Sequence, residues 1–268
     1  MRKPLVAAIF VLATAGAGTS PAHAAPDAAG LAGTVALSNC SGSLVRFPRS
    51  ADTDPALVLS NGHCSSLMEP GAVVTDRPAN RPFTLLDASG TQVATLKAEK
   101  LAYATMTDTD VAVYQLTTTY AAIRSASGVS PLTVRDTRPA AGTAVTVASG
   151  AWKKLLDCEI DGFAHRLKED KWTWKDSVRY TPACQTVGGT SGSPVLDRST
   201  GEIVAVHNTG NENGASCTRD NPCEVDPGGN VTVRKGINYG QQTYQIPACF
   251  TAGNQLDLNA PGCALPKP

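Results

Sequence analysis

The sequence predicts an all-β protein of the sandwich or barrel type. Helical periodicity is scarce along the 268 residues. Short β-type runs recur instead, separated by Gly, Pro, Asn and Asp. Two segments, DASG at 87–90 and DRSTGE at 197–202, have the composition of hairpin turns in which Gly supplies the permissive backbone. Many short strands joined by tight turns are typical of sandwiches and barrels.

The predicted strands are dominated by β-branched and other apolar residues. In chain order they are GTVAL, GSLVRF, PALVLS, PFTLLD, TQVATLKA, DVAVYQL, PLTVRD, TAVTVAS, SPVLD and EIVAVHN. A looser stretch, Thr117–Pro131, interrupts the series and is interpreted as a connection between two halves. The charged segment His165–Tyr180 is predicted to be an exposed hairpin, with Trp172 and Trp174 as packing residues.

The first 24 residues have the layout of a secretory signal. A positive start (MRK) precedes an apolar run, and SPAHA ends in an Ala-x-Ala pattern, so we expect cleavage after Ala24. The alternative is a membrane anchor, which is disfavoured because the run falls short of the roughly 20 apolar residues that a span needs. The protein is therefore expected to be secreted, free of the membrane after cleavage, and monomeric.

The chain that would remain, Ala25–Pro268, has 244 residues, enough to bury a core. Loss of Arg2 and Lys3 lowers the basic residues from 23 to 21, against 23 acidic ones. A nucleic-acid-binding protein would need a basic surface to displace counterions, so this class is disfavoured.

All eight cysteines follow the predicted cleavage point, and an even count in an exported chain indicates four disulfides. A zinc site is the competing interpretation, but the sequence has neither a CxxC pair nor HExxH. The cysteines are Cys40, Cys64, Cys158, Cys184, Cys217, Cys223, Cys249 and Cys263.

Three segments carry the residues of a nucleophilic site. VGGTSGSPV builds a tight Gly-rich bend around Ser191, His63 follows an apolar strand in LVLSNGHC, and Asp110 directly precedes the strand VAVYQL. A hydroxyl is a poor nucleophile unless an imidazole removes its proton, and a buried carboxylate must hold that imidazole in the right tautomer. The bend can also turn backbone N–H groups inward to stabilise an oxyanion, with Gly189 and Ser191 as the expected donors.

In this order, SGSL…SNGHC, DVAVYQL and GGTSGSPV resemble the signature segments of chymotrypsin-fold serine peptidases. The resemblance covers about residues 34–210 and extends towards Tyr244. It implies two packed six-stranded antiparallel β-barrels with the active site in the cleft between them, and protein or peptide substrates. We expect the N-terminal barrel at about 34–118, the C-terminal barrel at about 132–246 and a disulfide-tied tail at 247–268.

The motif is most similar to that of bacterial secreted glutamyl endopeptidases. Thr190 stands where digestive zymogens have the aspartate that pairs with a freshly cut N-terminus, and no IVGG-like start is visible. Activation by that ion pair is therefore not expected.

The resemblance also implies residues of the substrate pocket. Gln185 stands where trypsin has its acidic residue, so a preference for Lys or Arg is disfavoured. His207 and Thr186 match the His and hydroxyl that grip a Glu carboxylate in glutamyl endopeptidases, with charge assistance if the ring protonates. The alternatives are a structural His207 and an apolar or broad pocket. Gly210 is expected to let the substrate backbone approach its strand.

Proximity along the sequence suggests how the cysteines pair in disulfides. Cys40 is offered as the partner of Cys64, Cys217–Cys223 would close a short loop, Cys249–Cys263 would tie the tail, and Cys158 and Cys184 are left to brace the loop before the nucleophile. The motifs require no metal and no cofactor; the alternative is a calcium site in the acidic loop Glu224–Asn230.

The leading hypothesis is thus a secreted serine endopeptidase that forms an acyl-enzyme on Ser191. A catalytically idle binding module on the same fold, or a cysteine-stapled structural protein, are the alternatives. The presence of candidates for all three catalytic groups disfavours both.

Overall fold

The computed structural model describes Met1 and residues 30–268. It contains two closed rings, each made of six antiparallel strands. The predicted signal segment lies outside the described residues, apart from Met1. The all-β prediction and the two-barrel architecture are confirmed.

The first ring has the strand order β1-β5-β6-β7-β3-β2 and closes through the pairing of β1 with β2. Strand β4 pairs with β6 outside this ring, and β8 adds to β2 in parallel. The bounds are β1 (Thr34–Ala36), β2 (Ser41–Arg46), β3 (Pro55–Ser60), β4 (Val73–Pro78), β5 (Pro82–Leu86), β6 (Gln92–Thr105), β7 (Val111–Thr119) and β8 (Leu132–Thr133).

The second ring has the order β11-β16-β13-β12-β9-β10 and closes through the β10–β11 pairing, with β14 and β15 extending from β10. A short hairpin, β17–β18, lies in the C-terminal tail. The bounds are β9 (Ala144–Ser149), β10 (Lys154–Glu169), β11 (Trp172–Tyr180), β12 (Pro194–Asp197), β13 (Ile203–Gly210), β14 (Cys223–Val225), β15 (Val231–Val233), β16 (Asn238–Gln242), β17 (Phe250–Thr251) and β18 (Gln255–Leu256).

Helices are short, and one of them replaces part of the predicted loose connection. Helix α1 (Gly62–Ser65) is a single turn, and α2 (Tyr120–Ser127) crosses between the rings in sequence. Thr119 caps α2 by accepting from the N–H of Ala122, and Gly128 ends it with a φ of 73°. Two 3₁₀ turns, at Pro247–Cys249 and Ala252–Asn254, complete the tail.

The two rings meet at the hairpin of β10 and β11. Trp172 and Trp174 are buried there, and their indole N–H groups donate to the carbonyls of Met68 and Met106 in the first half of the chain, at 2.8 and 3.1 Å. The hairpin and the packing role of the tryptophans were predicted, but the expectation of an exposed hairpin was wrong. Lys168, Lys171 and Lys175 face solvent, whereas Leu167, Trp172 and Trp174 pack in one core cluster with residues of the first ring.

Four disulfides join the pairs suggested by proximity: Cys40–Cys64, Cys158–Cys184, Cys217–Cys223 and Cys249–Cys263. The second of these ties β10 to the segment that leads to Ser191. Among the described residues, no helix is both long enough and apolar enough to cross a membrane.

Candidate active site

The pairing of β3 with β7 brings His63 and Asp110 together. These strands are antiparallel, with Ser60 opposite Ala112, so the end of β3 lies beside the start of β7. His63 follows that end on α1, and Asp110 precedes Val111, the first residue of β7. A Cβ at Gly62 would lie 2.2 Å from the carbonyl oxygen of Thr105, so only glycine permits this close approach of the two loops.

Asp110 is fully buried and holds the His63 residue at two points. Its Oδ2 lies 2.8 Å from Nδ1 of the ring, and its Oδ1 accepts from the His63 backbone N–H at 3.0 Å. Because a carboxylate only accepts hydrogen bonds, Nδ1 carries the proton of the neutral ring and Nε2 keeps its lone pair. The side chain of Asn61 fixes the Asp110 backbone by donating to its carbonyl at 2.8 Å.

Ser191 lies on the turn before β12, pressed against the first ring. The N–H of Ser41, the first residue of β2, donates to the Ser191 carbonyl at 2.8 Å. Gly192 has a φ of +83°, and a Cβ there would lie 2.1 Å from the Ser41 carbonyl oxygen. Glycine is therefore required next to the serine by both its backbone conformation and the close contact.

His63, Asp110 and Ser191 line one cleft. The Ser191 hydroxyl donates to the carbonyl of Asn208 at 3.1 Å, and within residues 30–268 it makes no hydrogen bond with His63. The hydroxyl must therefore leave Asn208 before the imidazole can accept its proton.

The turn leaves three backbone donors free. Within the described part of the chain, the N–H groups of Gly188, Gly189 and Ser191 have no acceptor. Those of Thr190, Gly192 and Ser193 donate to the carbonyls of Val187, His207 and Thr190 at 2.9–3.0 Å. The free groups include the two that sequence analysis selected as oxyanion donors.

The structure places three of the four predicted pocket residues in the cleft and one outside it. Thr186, His207 and Gly210 line the cleft, whereas Gln185 does not. Gln185 is exposed, and its side-chain amide donates to the Pro182 carbonyl at 2.6 Å, so its assignment to the pocket finds no support. The turn of residues 181–184, held by Cys184, directs the side chain outward.

The structure gives Gly210 a packing role. A Cβ on Gly210 would lie 1.9 Å from Oδ1 of Asn238, so the missing side chain makes room for Asn238. Asn238 is fixed in turn, since its Nδ2 donates to the Cys184 carbonyl and its Oδ1 accepts from the Thr186 hydroxyl, both at 2.7 Å.

His207 is almost completely buried, with an exposed fraction of 2%, and its Nδ1 has no partner among the described residues. Burial, with a contribution from the charge of His63, lowers the pKa of His207 to about 3. The ring is therefore neutral near pH 7, and the charge assistance considered from sequence is absent.

The trypsin-like peptidase domain family matches residues 40–206, which is more than half of the chain and includes His63, Asp110 and Ser191. The chain belongs to the trypsin-like peptidase family. No curated protein sequence matches it significantly.

Three solved structures are similar to this trypsin-like peptidase at low identity. The MamO protease domain from Magnetospirillum magneticum is 12% identical with a TM-score of 0.48, over 80% of this chain and 93% of that chain. A Glu endopeptidase solved in complex with MPD is 17% identical with a TM-score of 0.45, over 82% and 88%. A thermostable serine protease, AL20, from an extremophilic microorganism is 16% identical with a TM-score of 0.45, over 80% and 91%.

Several residues of this peptidase's cleft were not found from sequence. Asn208 and Asn238 lie within β13 and β16, and Glu169 ends β10 with its carboxylate accepting from the Thr209 hydroxyl at 2.6 Å. None lies in a motif, and each reaches the cleft only through strand pairing. Asn208 could have been suspected, because it follows His207 directly.

The loop Glu224–Asn230 already satisfies its carboxylates within the chain. Glu224 pairs with Arg179 and Arg234 at 3.0 Å, and Asp226 accepts from the backbone and side chain of Asn230.

Proposed function

We propose that the protein is a secreted serine endopeptidase that hydrolyses peptide bonds through an acyl-enzyme on Ser191. The observation that carries this proposal is the contact of His63 Nδ1 with Oδ2 of the buried Asp110, at 2.8 Å, in the same cleft as Ser191. Nothing in an idle binding module would require a buried carboxylate to fix the tautomer of a partly buried imidazole in the same cleft as a serine. The idle-module alternative is therefore not favoured.

The proposed reaction starts when the substrate displaces the Ser191 hydroxyl from the Asn208 carbonyl. Nε2 of His63 accepts the hydroxyl proton while Oγ attacks the scissile carbonyl carbon. The N–H groups of Gly189 and Ser191 stabilise the resulting oxyanion, and His63 returns the proton to the leaving amine. Water, deprotonated by the same ring, then hydrolyses the acyl-enzyme and frees Ser191.

Labelling with a fluorophosphonate tests this assignment. We expect a covalent adduct on the peptide that contains Ser191, together with cleavage of an unfolded protein substrate. The same peptide map of secreted protein would show whether the chain begins at Ala25, as proposed cleavage after Ala24 requires. Folded protein that takes no label at Ser191 would contradict the proposed function.

We further propose a preference for Glu or Asp before the scissile bond, supported by the positions of His207 and Thr186 in the cleft. Neutral His207 offers a hydrogen bond without charge. The Thr186 hydroxyl is committed to Asn238 and must turn from it to donate to a substrate carboxylate. Such a pocket distinguishes Glu from Phe or Arg more strongly than it distinguishes Glu from its amide, Gln.

Peptides that differ only at this position test the preference. We expect kcat/KM for Glu to exceed that for Phe and Arg by about tenfold or more, and that for Gln by less than about tenfold, because neutral hydrogen bonds are worth about 1 kcal/mol each. Faster cleavage after Phe or Arg would exclude the carboxylate pocket and favour an apolar or broad specificity.

The pH dependence of kcat/KM should follow the ionisation of the His63 ring. Burial lowers the pKa of the ring, but the charge and hydrogen bond of Asp110, with smaller contributions from Glu169 and Asp220, raise it above its usual range overall. A general base must be neutral, so kcat/KM should fall as the pH drops through this raised pKa. Glu169→Gln removes one negative charge and should shift the acid limb to lower pH.

The matched control for that shift is Glu159→Gln, which removes an exposed carboxylate outside the cleft. The profiles of both variants are measured as kcat/KM from pH 4 to 9. An acid limb that moves equally in both variants, or moves upward in Glu169→Gln, would contradict the assignment of His63 as the base.

A further inference from the structure

The two glycines of the turn before Ser191 permit two backbone forms, of which the structure shows one. The Thr190 N–H donates to the Val187 carbonyl at 3.0 Å and closes a four-residue turn with two glycines at its centre. Gly189 has a φ of +87°, and Gly188 is not among the residues with positive φ, which defines a type II turn. A type I turn joins the same ends with the central peptide turned over, and glycine at both positions permits either form.

The peptide that would turn over carries one of the two proposed oxyanion donors. The Gly188 carbonyl and the Gly189 N–H belong to one trans peptide, so they point in opposite directions. Nε1 of Trp152 donates to the Gly188 carbonyl at 2.7 Å. While this bond holds, the Gly189 N–H stays on the side of the peptide away from the indole, where it has no acceptor within the described residues.

The second proposed oxyanion donor, the Ser191 N–H, is fixed by hydrogen bonds within its own turn. The Ser191 N–H shares a peptide with the Thr190 carbonyl, which accepts from both the N–H and the hydroxyl of Ser193, at 3.0 and 2.6 Å. Ser193 is fully buried and lies within the same turn. The Gly188–Gly189 peptide has no such local anchor, because its carbonyl accepts from a side chain 36 residues away in the sequence.

Trp152 is itself placed for this contact. It lies in the turn between β9 and β10, and its backbone N–H donates to the Ser149 hydroxyl at 3.3 Å. A Cβ on Gly189 would lie 3.0 Å from Nε1, so the indole fits closely only over glycine. The side chain remains 51% exposed, so little of the hydrophobic core depends on it.

We propose that Trp152 is a positioning residue that keeps the Val187–Thr190 turn in its type II form and so keeps the Gly189 N–H available to the oxyanion. This inference rests on the proposed chemistry of Ser191. Trp152 acts through the Gly188–Gly189 peptide and touches no reacting atom. It selects between two conformations of one peptide, and the selected conformation is the one that the transition state uses.

Trp152→Phe tests the proposal, because it removes the indole N–H and keeps an aromatic ring. We expect kcat to fall about three- to tenfold, the equilibrium worth of one net hydrogen bond, with KM changed less than about twofold. The affinity for a peptide boronate, whose tetrahedral adduct places an oxygen in the anion hole, should fall by the same factor as kcat. Leu155→Ala, at an exposed apolar residue three positions on, should leave all three quantities unchanged.

Two results would overturn the proposal. One is an unchanged boronate affinity in Trp152→Phe; the other is an equal rise in KM together with a lower Tm, which would show a structural role alone. The proposed function fails separately: wild-type protein that does not react with a fluorophosphonate refutes the serine chemistry. Wild-type protein that reacts normally, with Trp152→Phe equal to it, refutes only the role of Trp152.

Discussion

Ser191→Ala is expected to lower kcat about a millionfold, the loss found when the nucleophile of a serine peptidase is removed. The variant retains the cleft, the His63–Asp110 pair and the free N–H groups of the turn, so only the attacking oxygen is missing. Residual turnover would come from binding and from the oxyanion donors alone. The measurement is kcat on a peptide substrate for wild type and variant, with Tm recorded to verify folding.

Ser199→Ala is the matched control for this loss. Ser199 is an exposed serine in the hairpin turn between β12 and β13, where its hydroxyl donates to Asp197. Its removal should leave kcat unchanged. Turnover within a hundredfold of wild type in Ser191→Ala would show that another group is the nucleophile.

Asp110→Asn is expected to lower kcat/KM about ten-thousandfold near pH 7, as the corresponding change does in other serine peptidases. Asp110 accepts two hydrogen bonds from His63, one from the backbone N–H and one from Nδ1. Asn has one acceptor oxygen. If that oxygen keeps the backbone contact, the amide NH₂ faces Nδ1 and stabilises the tautomer with the proton on Nε2, which cannot then accept the serine proton.

The control for this variant is Asp108→Asn, two residues earlier. Asp108 is partly exposed and pairs with Lys175 at 2.6 Å, outside the contacts of His63. We expect its kcat/KM to stay within about twofold of wild type, because exposed ion pairs contribute little. Similar activities for the two variants would remove Asp110 from the proposed triad.

The sequence predicted those parts of the molecule that depend on short motifs at strand ends. His63, Asp110 and Ser191 each adjoin a strand whose apolar run is visible in the sequence, and antiparallel pairing then brings the first two together. Helix α2 was missed because its eight residues are too few for a helical period to stand out, and they were interpreted as a loop. Its signals were present, with Thr119 as a capping residue and Gly128 as a terminator.

The pocket could be predicted less well because distant strands build it. Whether Thr186 has a free hydroxyl depends on Asn238, 52 residues later, and whether His207 can ionise depends on burial. The direction of the Gln185 side chain could not be predicted either, because the turn before it sets that direction and no local sequence pattern indicates it. The position of a residue relative to a motif therefore predicts which part of the structure it lies in, but it does not predict the orientation of its side chain.

The proposed catalytic residues are divided between the two rings, with His63 and Asp110 carried by one and Ser191 by the other. Neither half of the chain alone contains a complete set. The indoles of Trp172 and Trp174 and the Ser41–Ser191 backbone bond join these halves. The interface between the rings therefore contributes to the proposed reaction, because its alignment sets the distance between the Ser191 hydroxyl and the His63 ring.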